Sequence, residues 1–297
     1  MLRGLYTSTA GMDVQQAKVE NISNNMANAA TPGYKKDELL IQSFPQQLLI
    51  EQGGPKRKDG LPLPNPAARI GSLGTGALIT GSVTDYTPGT LQETGNQTDM
   101  AIRGPGFFAV TDPAGGGPYG QAAGQAQQEL PVADPARDQV FYTRSGFFKV
   151  DREGYLTLNE RYRVLGEAGA IKVGSGEFSV SPDGTIEAGG TVVDRLRVVE
   201  FDDLNSLSKE GEGLFTAPEG NEGLAVQDQG PGMPQVSGRP AANSVVEQGK
   251  LETSNVNVVD EMAQLIAVMR AYEANQRMIQ NYDEILNKAV NQVGSIR

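Results

Sequence analysis

Residues 257–288 read NVVDEMAQLIAVMRAYEANQRMIQNYDEILNK, and apolar side chains recur along this run at every seventh position. The main row of the repeat holds Val258, Leu265, Tyr272, Ile279, Leu286 and Val293, and a companion row holds Met262, Met269 and Val290. Such a repeat is typical of a long helix that packs against other helices. Asn257 is the predicted N-cap, and Asp260 favours the positive end of the helix dipole. A helix measuring about 54 Å needs partners along its length.

The N-terminus carries a weaker form of the same repeat. Its main row is apolar and its companion row is polar: Leu5, Met12, Val19 and Met26 against Thr9, Gln16 and Ser23. Pro32 disfavours helix at the preceding residue, so the helix should end near residues 28–30. Gly11 costs about 1 kcal/mol relative to alanine, which makes an isolated N-terminal helix marginal. Two alternatives fit both ends equally: a helical hairpin that closes a globular fold, or helices that pack against other subunits.

Between the ends, short β-type runs alternate with turn signals such as Glu153-Gly154 and Asp183-Gly184. The predicted strands are residues 101–103, 107–111, 140–143, 147–150, 155–158, 162–165, 177–180 and 192–201. This spacing indicates an all-β sandwich or barrel-like domain. The stretch around residues 112–138 is rich in Gly, Ala, Gln and Pro and is interpreted as an insertion loop.

The predicted fold class is therefore α+β, with long N- and C-terminal helices packed as a coiled-coil-like axial domain and a β-rich middle domain. The predicted boundaries follow the composition: 1–38, N-terminal axial helix; 39–88, linker or partly extended region; 89–234, β-rich outer domain with its insertion; 235–256, return linker; 257–297, C-terminal axial helix.

Composition narrows the possible functions. The chain has no Cys and no His, which excludes cysteine nucleophiles, imidazole or thiolate metal sites and serine–histidine triads. A formal net charge of −11 opposes binding to nucleic acid. The first residues lack the continuous apolar core of a Sec signal peptide, and no run approaches the ~20 apolar residues of a membrane span. We therefore expect no catalytic residue, no cofactor, no metal and no small-molecule substrate.

Glycine patterns that resemble phosphate-binding loops do not change this expectation. Gly115, Gly117 and Gly120 match G-x-G-x-x-G by spacing, but Pro118 interrupts the run and no helical pattern follows. Two other classes stay open on the residues alone. One is an adhesive or ligand-binding β protein with a helical stalk, and the other is a carbohydrate-active enzyme with carboxylates that no sequence pattern selects.

Several segments closely resemble the signatures of bacterial flagellar basal-body rod and hook proteins. At the ends these are residues 1–7 (MLRGLYT), 24–35 (NNMANAATPGYK), 249–257 (GKLETSNVN) and 270–275 (RAYEAN). In the middle they are residues 89–96 (GTLQETGN), 104–108 (GPGFF), 142–146 (YTRSG) and 162–166 (YRVLG). Gln97-Thr98 departs from the Pro-Leu that commonly follows Gly-Asn in that family.

The resemblance implies a subunit that is exported unfolded by the flagellar type III apparatus and assembled into the rod that crosses the periplasm. Its implied partners are copies of itself, other flagellar rod and hook axial proteins, and the export apparatus. In that family the terminal helices form the inner wall of a tube and the β domain lies outside them. The layout favours a rod protein, with a hook-type axial subunit as the alternative.

The seven-residue rows and the terminal signatures together give a predicted assembly interface. Its apolar members are Leu5, Met12, Val19, Met26, Leu265, Met269, Tyr272, Ile279 and Leu286. Its polar members, which we expect to specify register, are Asn24, Asn25 and Asn275. The same residues also suit packing within one chain.

Overall fold

A computed structural model describes residues 2–45, 47–51, 56–58, 61–63, 68–74, 76–112, 140–174, 176–217, 239–240 and 244–293. They form two compact units. We call one the helical unit, made of Met1–Ala27, Asp37–Val83 and Asn257–Arg297, and the other the β unit, made of Asn28–Lys36 and Thr84–Val256. The fold is α+β with a β-rich middle and a helix at each end, as predicted. Coiled-coil packing of those helices stays a prediction, and the predicted insertion beyond Asp112 lies outside the described residues.

The two long helices are α1, Leu2–Ala27, and α2, Val258–Lys288, which continues into a π-helical turn at Ala289–Val293. The Asn257 side chain accepts a hydrogen bond from the Val259 amide at 3.1 Å, which confirms the predicted N-cap. The side-chain Nδ2 of Asn257 also donates to Asp260 Oδ2 at 2.7 Å. The same two side chains therefore satisfy the free amide and complement the dipole at the start of α2.

The helical unit also carries six strands between its helices, in the region expected to be a partly extended linker. They are β1 (Asp37–Ser43), β2 (Gln47–Glu51), β3 (Lys56–Lys58), β4 (Leu61–Leu63), β5 (Ala68–Leu73) and β6 (Ala77–Thr84). The strands pair as β1 with β6, β2 with β5 and β3 with β4. Each pair encloses the next one in sequence, so the three strand pairs are nested.

The β unit is built from short, mostly antiparallel strands. They are β7 (Leu91–Glu93), β8 (Met100–Arg103), β9 (Phe107–Thr111), β10 (Val140–Thr143), β11 (Phe148–Val150), β12 (Leu156–Leu158), β13 (Tyr162–Val164), β14 (Phe178–Val180), β15 (Thr185–Ala188), β16 (Thr191–Arg195), β17 (Val198–Glu200), β18 (Ser208–Gly211), β19 (Leu214–Thr216), β20 (Arg239–Pro240), β21 (Val245–Gln248) and β22 (Lys250–Glu252). A short 3-10 helix spans Leu204–Ser206.

Nine of these strands form the main sheet of the β unit. The main path runs β11-β12-β13-β9-β10-β19-β18, and β17 joins β9 to β20. Strands β14, β15 and β16 form a second sheet, while β21 pairs with β8 and β22 with β7. The region expected to be a return linker thus contributes three strands, which are too short to show a clear alternation in the sequence.

Strand β9 passes through the centre of the core. All five of its residues are buried, and the first four alternate between two apolar clusters. Phe108 packs edge-on against Phe148 on one face, with ring centroids 5.2 Å apart. Phe107 packs against Phe215 on the other face, with centroids 5.8 Å apart. Because both faces of the sheet are covered, the strand reads as a continuous apolar run rather than an alternating one.

One strand prediction was wrong. Residues 192–201 were expected to be a single strand, but they form β16 in the second sheet and β17 in the main sheet. The chain passes between the two sheets at Leu196, which is buried and bridges to Gly166. Because Leu196 is apolar, the sequence pattern shows no interruption between β16 and β17.

Within the described residues, no helix combines the length and apolar character that crossing a lipid bilayer would require.

Candidate assembly interface

Helices α1 and α2 pack against each other with opposite directions. Gly4 faces the ring of Tyr282, and Gly11 faces the side chain of Asn275, so residue numbers fall along one helix as they rise along the other. A Cβ atom at Gly11 would lie 3.0 Å from Asn275 Nδ2. Glycine at this position therefore allows the close approach of the two helices, which accounts for a helix-weakening residue in the middle of α1.

The predicted apolar row of α1 does not lie on the side that meets α2. Gly4, Gly11 and the buried side chains of Val14 and Ile22 share one side of the helix. At 3.6 residues per turn, the row of Leu5, Met12, Val19 and Met26 lies about 100° around from them. All four of these residues are half-buried. Each of them keeps part of its surface accessible in the single chain.

The predicted residues of α2 fall into two groups. Leu265, Tyr272, Asn275, Ile279 and Leu286 are half-buried, on the same side as the buried Val268. Met269 is exposed and lies on another side. The structure thus brings most of the C-terminal row towards the helix pair and leaves Met269 outside it.

The two neighbouring asparagines at the end of α1 differ in their surroundings. Asn25 is 2% exposed, and its side-chain amide bonds both backbone groups of Asp37, the first residue of β1. Its Nδ2 donates to the Asp37 carbonyl at 3.0 Å, and its Oδ1 accepts from the Asp37 amide at 3.1 Å. Asn24 is exposed. Asn25 therefore fixes the start of β1 within the chain, beside any role in register between subunits.

An exposed apolar face runs along the first half of α2, and sequence analysis found only part of it. Val259, Met262, Ile266 and Met269 are 73%, 48%, 55% and 52% exposed. Their spacing of three, four and three residues places them on one side of the helix. We call these four residues the outer face of α2. The main seven-residue row selects other positions of α2, although apolar residues also recur at steps of three and four residues along the outer face.

A groove of about 370 Å³ lies in the helical unit, between α1, β1 and α2. We call it the helical groove. Its apolar and amide side chains are Ile22, Asn25, Leu39, Ile41, Gln264, Ala267 and Val268, and Asn21 lies beside them. Its charged side chains are Lys18, Asp37, Glu38 and Glu261, which give the groove a net negative charge. Pattern reasoning missed this feature because β1 was not predicted as a strand.

In the β unit, the chain segment that follows α1 is held by a buried ion cluster. Lys35 Nζ lies 2.6 Å from Glu252 Oε1, with both side chains 1% exposed. Arg144 Nε lies 3.1 Å from the other carboxylate oxygen of Glu252. Burial lowers the pKa of Lys35, against the opposing effect of Glu252, and burial also lowers the pKa of Arg144. A single carboxylate thus balances two buried cations, so it cannot be removed without leaving charge unpaired.

The backbone on either side of this cluster is also joined. The Gly33 amide donates to the Glu252 carbonyl at 2.8 Å, and the Lys36 amide donates to Asn255 Oδ1 at 2.8 Å. Lys209 Nζ donates to the Lys35 carbonyl at 2.9 Å and lies 4.1 Å from the centre of the Tyr34 ring. These contacts fix residues 33–36 against residues 252–255 within the β unit.

Among the described residues, no three acidic side chains come together in a way that would hold a metal ion. The features that stand out are surfaces suited to packing: the half-buried rows, the outer face of α2 and the helical groove.

Two family signatures match the ends of the chain. A family described as "Flagella basal body rod protein" matches residues 5–35, and one described as "Flagellar basal body rod FlgEFG protein C-terminal" matches residues 247–292. The matched segments contain most of α1 and α2. They also contain residues 33–35 and 252–255, which are held against each other in the β unit.

Curated relatives match over nearly their whole length. The flagellar basal-body rod protein FlgG of Buchnera aphidicola subsp. Schizaphis graminum is 30% identical over 97% of this chain and 98% of its own. The flagellar hook-basal body complex protein FlhO of Bacillus subtilis is 29% identical over the full length of both chains. The flagellar basal-body rod protein FlgF of Caulobacter vibrioides is also 29% identical over the full length of both.

These three relatives are named for a place in the rod or the basal body and not for a reaction. The match extends through both helical ends and the β-rich middle. The chain belongs to the flagellar basal-body rod protein family, as a structural component of the rod in the bacterial flagellar basal body.

Proposed function

We propose that this chain is exported by the flagellar type III apparatus and polymerises, with copies of itself and other rod and hook axial proteins, into a tube that transmits torque. The observation that carries the proposal is the outer face of α2, where four large apolar side chains are exposed side by side. Apolar rows of this kind are covered in a stable assembly, because leaving them in water forfeits the free energy of burial.

The proposed contacts are those predicted from the terminal rows. They comprise Leu5, Met12, Val19, Met26, Leu265, Met269, Tyr272, Ile279 and Leu286, with Asn24, Asn25 and Asn275 specifying register. The half-buried residues of α2 lie on the side that meets α1, whereas the half-buried row of α1 lies beside that contact and is available to neighbours. Long helices with many shallow contacts share a torsional load among subunits, instead of concentrating it at one site.

Marginal helicity suits the proposed export. Gly11 weakens α1, and the Asn275 side chain lies close to the position that a Cβ atom would occupy there. A chain that must travel unfolded gains from helices that become fully ordered only when assembly contacts offset the entropy of ordering.

Met269→Asp tests the proposal, since Met269 is a predicted contact and is exposed in the single chain. A charge buried at an interface costs several kcal/mol, so the variant should be secreted but absent from purified basal bodies, and the cells should not swim. Asn281→Asp is the matched control, because it adds the same charge at an exposed polar position of α2. Wild-type amounts of the Met269→Asp chain in basal bodies, with normal swimming, would contradict the proposal.

A further inference from the structure

Building on the proposed function, we infer that the outer face of α2 in one copy docks into the helical groove of the next copy. Both surfaces belong to the helical unit, so one kind of contact repeats from copy to copy. The partner is therefore a second copy of this chain.

The positions of the two surfaces around α2 favour a repeating contact. Glu261, Gln264, Ala267 and Val268 line the groove, whereas Val259, Met262, Ile266 and Met269 form the outer face. At 3.6 residues per turn, the mean directions of the two sets differ by roughly 170° around the helix axis. A copy that donates its outer face on one side can thus receive a neighbour on the opposite side.

Apolar matching accompanies this geometry. The outer face presents only valine, methionine and isoleucine, and the groove supplies Ile22, Leu39, Ile41 and Val268. Methionine adapts its shape to an irregular surface, which suits a helix seated over a strand and a second helix. The volume of the groove, about 370 Å³, accommodates apolar side chains projecting from a helix.

Charge is complementary at the edge of the contact. Arg270 follows the last residue of the outer face, is exposed and forms no ion pair with another described residue. The groove carries Asp37, Glu38 and Glu261 against the single cation Lys18. Docking brings Arg270 of one copy towards these acidic residues of the next copy. This attraction favours one orientation of the docked helix.

A contact between two different surfaces does not terminate the assembly. Two identical patches that meet form a closed dimer, whereas a face and a groove on opposite sides form a ring or an open helical array. Open growth is what a rod subunit needs.

Cysteine pairs test the docking directly, because the chain contains no Cys of its own. Ile266→Cys is placed on the outer face and Ile41→Cys in the groove. Rods isolated from cells that carry both substitutions in one chain should give a ladder of covalent multimers on oxidation. Rods that mix the two single variants should give covalent dimers only, since each chain then has one thiol.

Leu40→Cys combined with Ile266→Cys is the matched control. Leu40 is 50% exposed, more than Ile41 at 39%, but neighbouring residues of a strand point to opposite faces. This pair should stay monomeric on oxidation, because a disulfide forms only when the Cβ atoms of the two residues face each other, and Leu40 does not line the groove.

A charge reversal gives a second measurement that does not depend on disulfide geometry. Arg270→Glu should remove the chain from purified basal bodies, and Glu38→Lys in the same chain should restore it. If rods assemble but the Ile266→Cys and Ile41→Cys pair gives no ladder, the docking is wrong and the proposed function still stands. The same conclusion follows if Glu38→Lys fails to restore assembly of the Arg270→Glu chain. Absence of the unmodified chain from purified basal bodies would contradict the proposed function itself.

Discussion

At the scale of single residues, Gly33 combines a left-handed backbone with very close packing. Its φ of 70° lies in the left-handed region that favours glycine. A Cβ atom there would collide with the backbone of Arg144 and Ser145, which cannot rotate away as a side chain can. The Gly33 amide also donates to the Glu252 carbonyl. Glycine is required here for both its conformation and its size.

Gly33→Ala should therefore destabilise the β unit more than a left-handed backbone alone explains. Gly189→Ala is the matched control, since Gly189 has a φ of 60° but open space around it. The control should lower the free energy of unfolding by about 1–2 kcal/mol. Gly33→Ala should lower it by about 1–3 kcal/mol more, because of the added overlap. Urea unfolding followed by near-ultraviolet circular dichroism measures both, and equal losses would show that the backbone near Ser145 yields.

Some residue roles were open to sequence reasoning and others were not. The N-cap at Asn257 follows from local chemistry, because the hydrogen bond joins residues two apart. The ion pair of Lys35 with Glu252 joins positions far apart in the chain, and no local pattern marks it. The resemblance singled out both segments but could not show that they meet.

At the scale of elements, strand type and position were largely predictable. The predicted runs 107–111 and 140–143 coincide with β9 and β10, since aromatic and β-branched residues are bounded there by turn residues. Two hairpins, β11–β12 and β14–β15, share a sequence pattern that was not used for prediction. Both read F-x-V-x-x-x-G, and their glycines, Gly154 and Gly184, have φ of 87° and 88°. Strands β1 to β6 were missed because their partners are separated by residues without a clear period.

Asn25 joins two elements of the helical unit, so its removal should be felt at the end of α1 and the start of β1. Asn25→Ala leaves the amide and the carbonyl of Asp37 without their partner, which costs about 1–3 kcal/mol. Asn24→Ala is the adjacent control at an exposed position, and it should change stability by less than about 0.5 kcal/mol. Thermal unfolding monitored by the helical circular dichroism signal distinguishes the two variants. Similar effects of both would show that the hydrogen bonds between Asn25 and Asp37 do not stabilise the unit.

At the scale of the whole molecule, the chain divides into two units with different sources of stability. In the described residues of the β unit there are two apolar clusters, seven close aromatic pairs and a buried ion cluster. Among its described residues, the helical unit buries only Val14, Ile22 and Val268 as large apolar side chains. Sequence reasoning predicted helical ends around a β-rich middle, because that division follows from periodicity. It could not assign residues 28–36 to the β unit, because their bonds are made with the other end of the chain.

A purified monomer should consequently unfold in two steps. The helical signal in the far ultraviolet should be lost at a lower urea concentration than the aromatic signal of the β unit, because each unit opens according to its own burial. Assembly into rods should remove the first step, since subunit contacts stabilise the helical unit. Coincident transitions of the two signals in the monomer would contradict this division.

The pairing of residues 33–36 with residues 252–255 has one more consequence. The larger segment of the β unit, Thr84–Val256, enters and leaves beside this pairing. The Asp85 amide donates to the Lys36 carbonyl at 2.9 Å, and Asn255 Nδ2 donates to the Asp85 carbonyl at 2.8 Å. When the entry and exit points of a domain are adjacent, another domain can replace it without changing the distance between the two chain ends that it joins. The architecture thus allows the segment Thr84–Val256 to change in sequence and size, while the two terminal helices keep their own constraints.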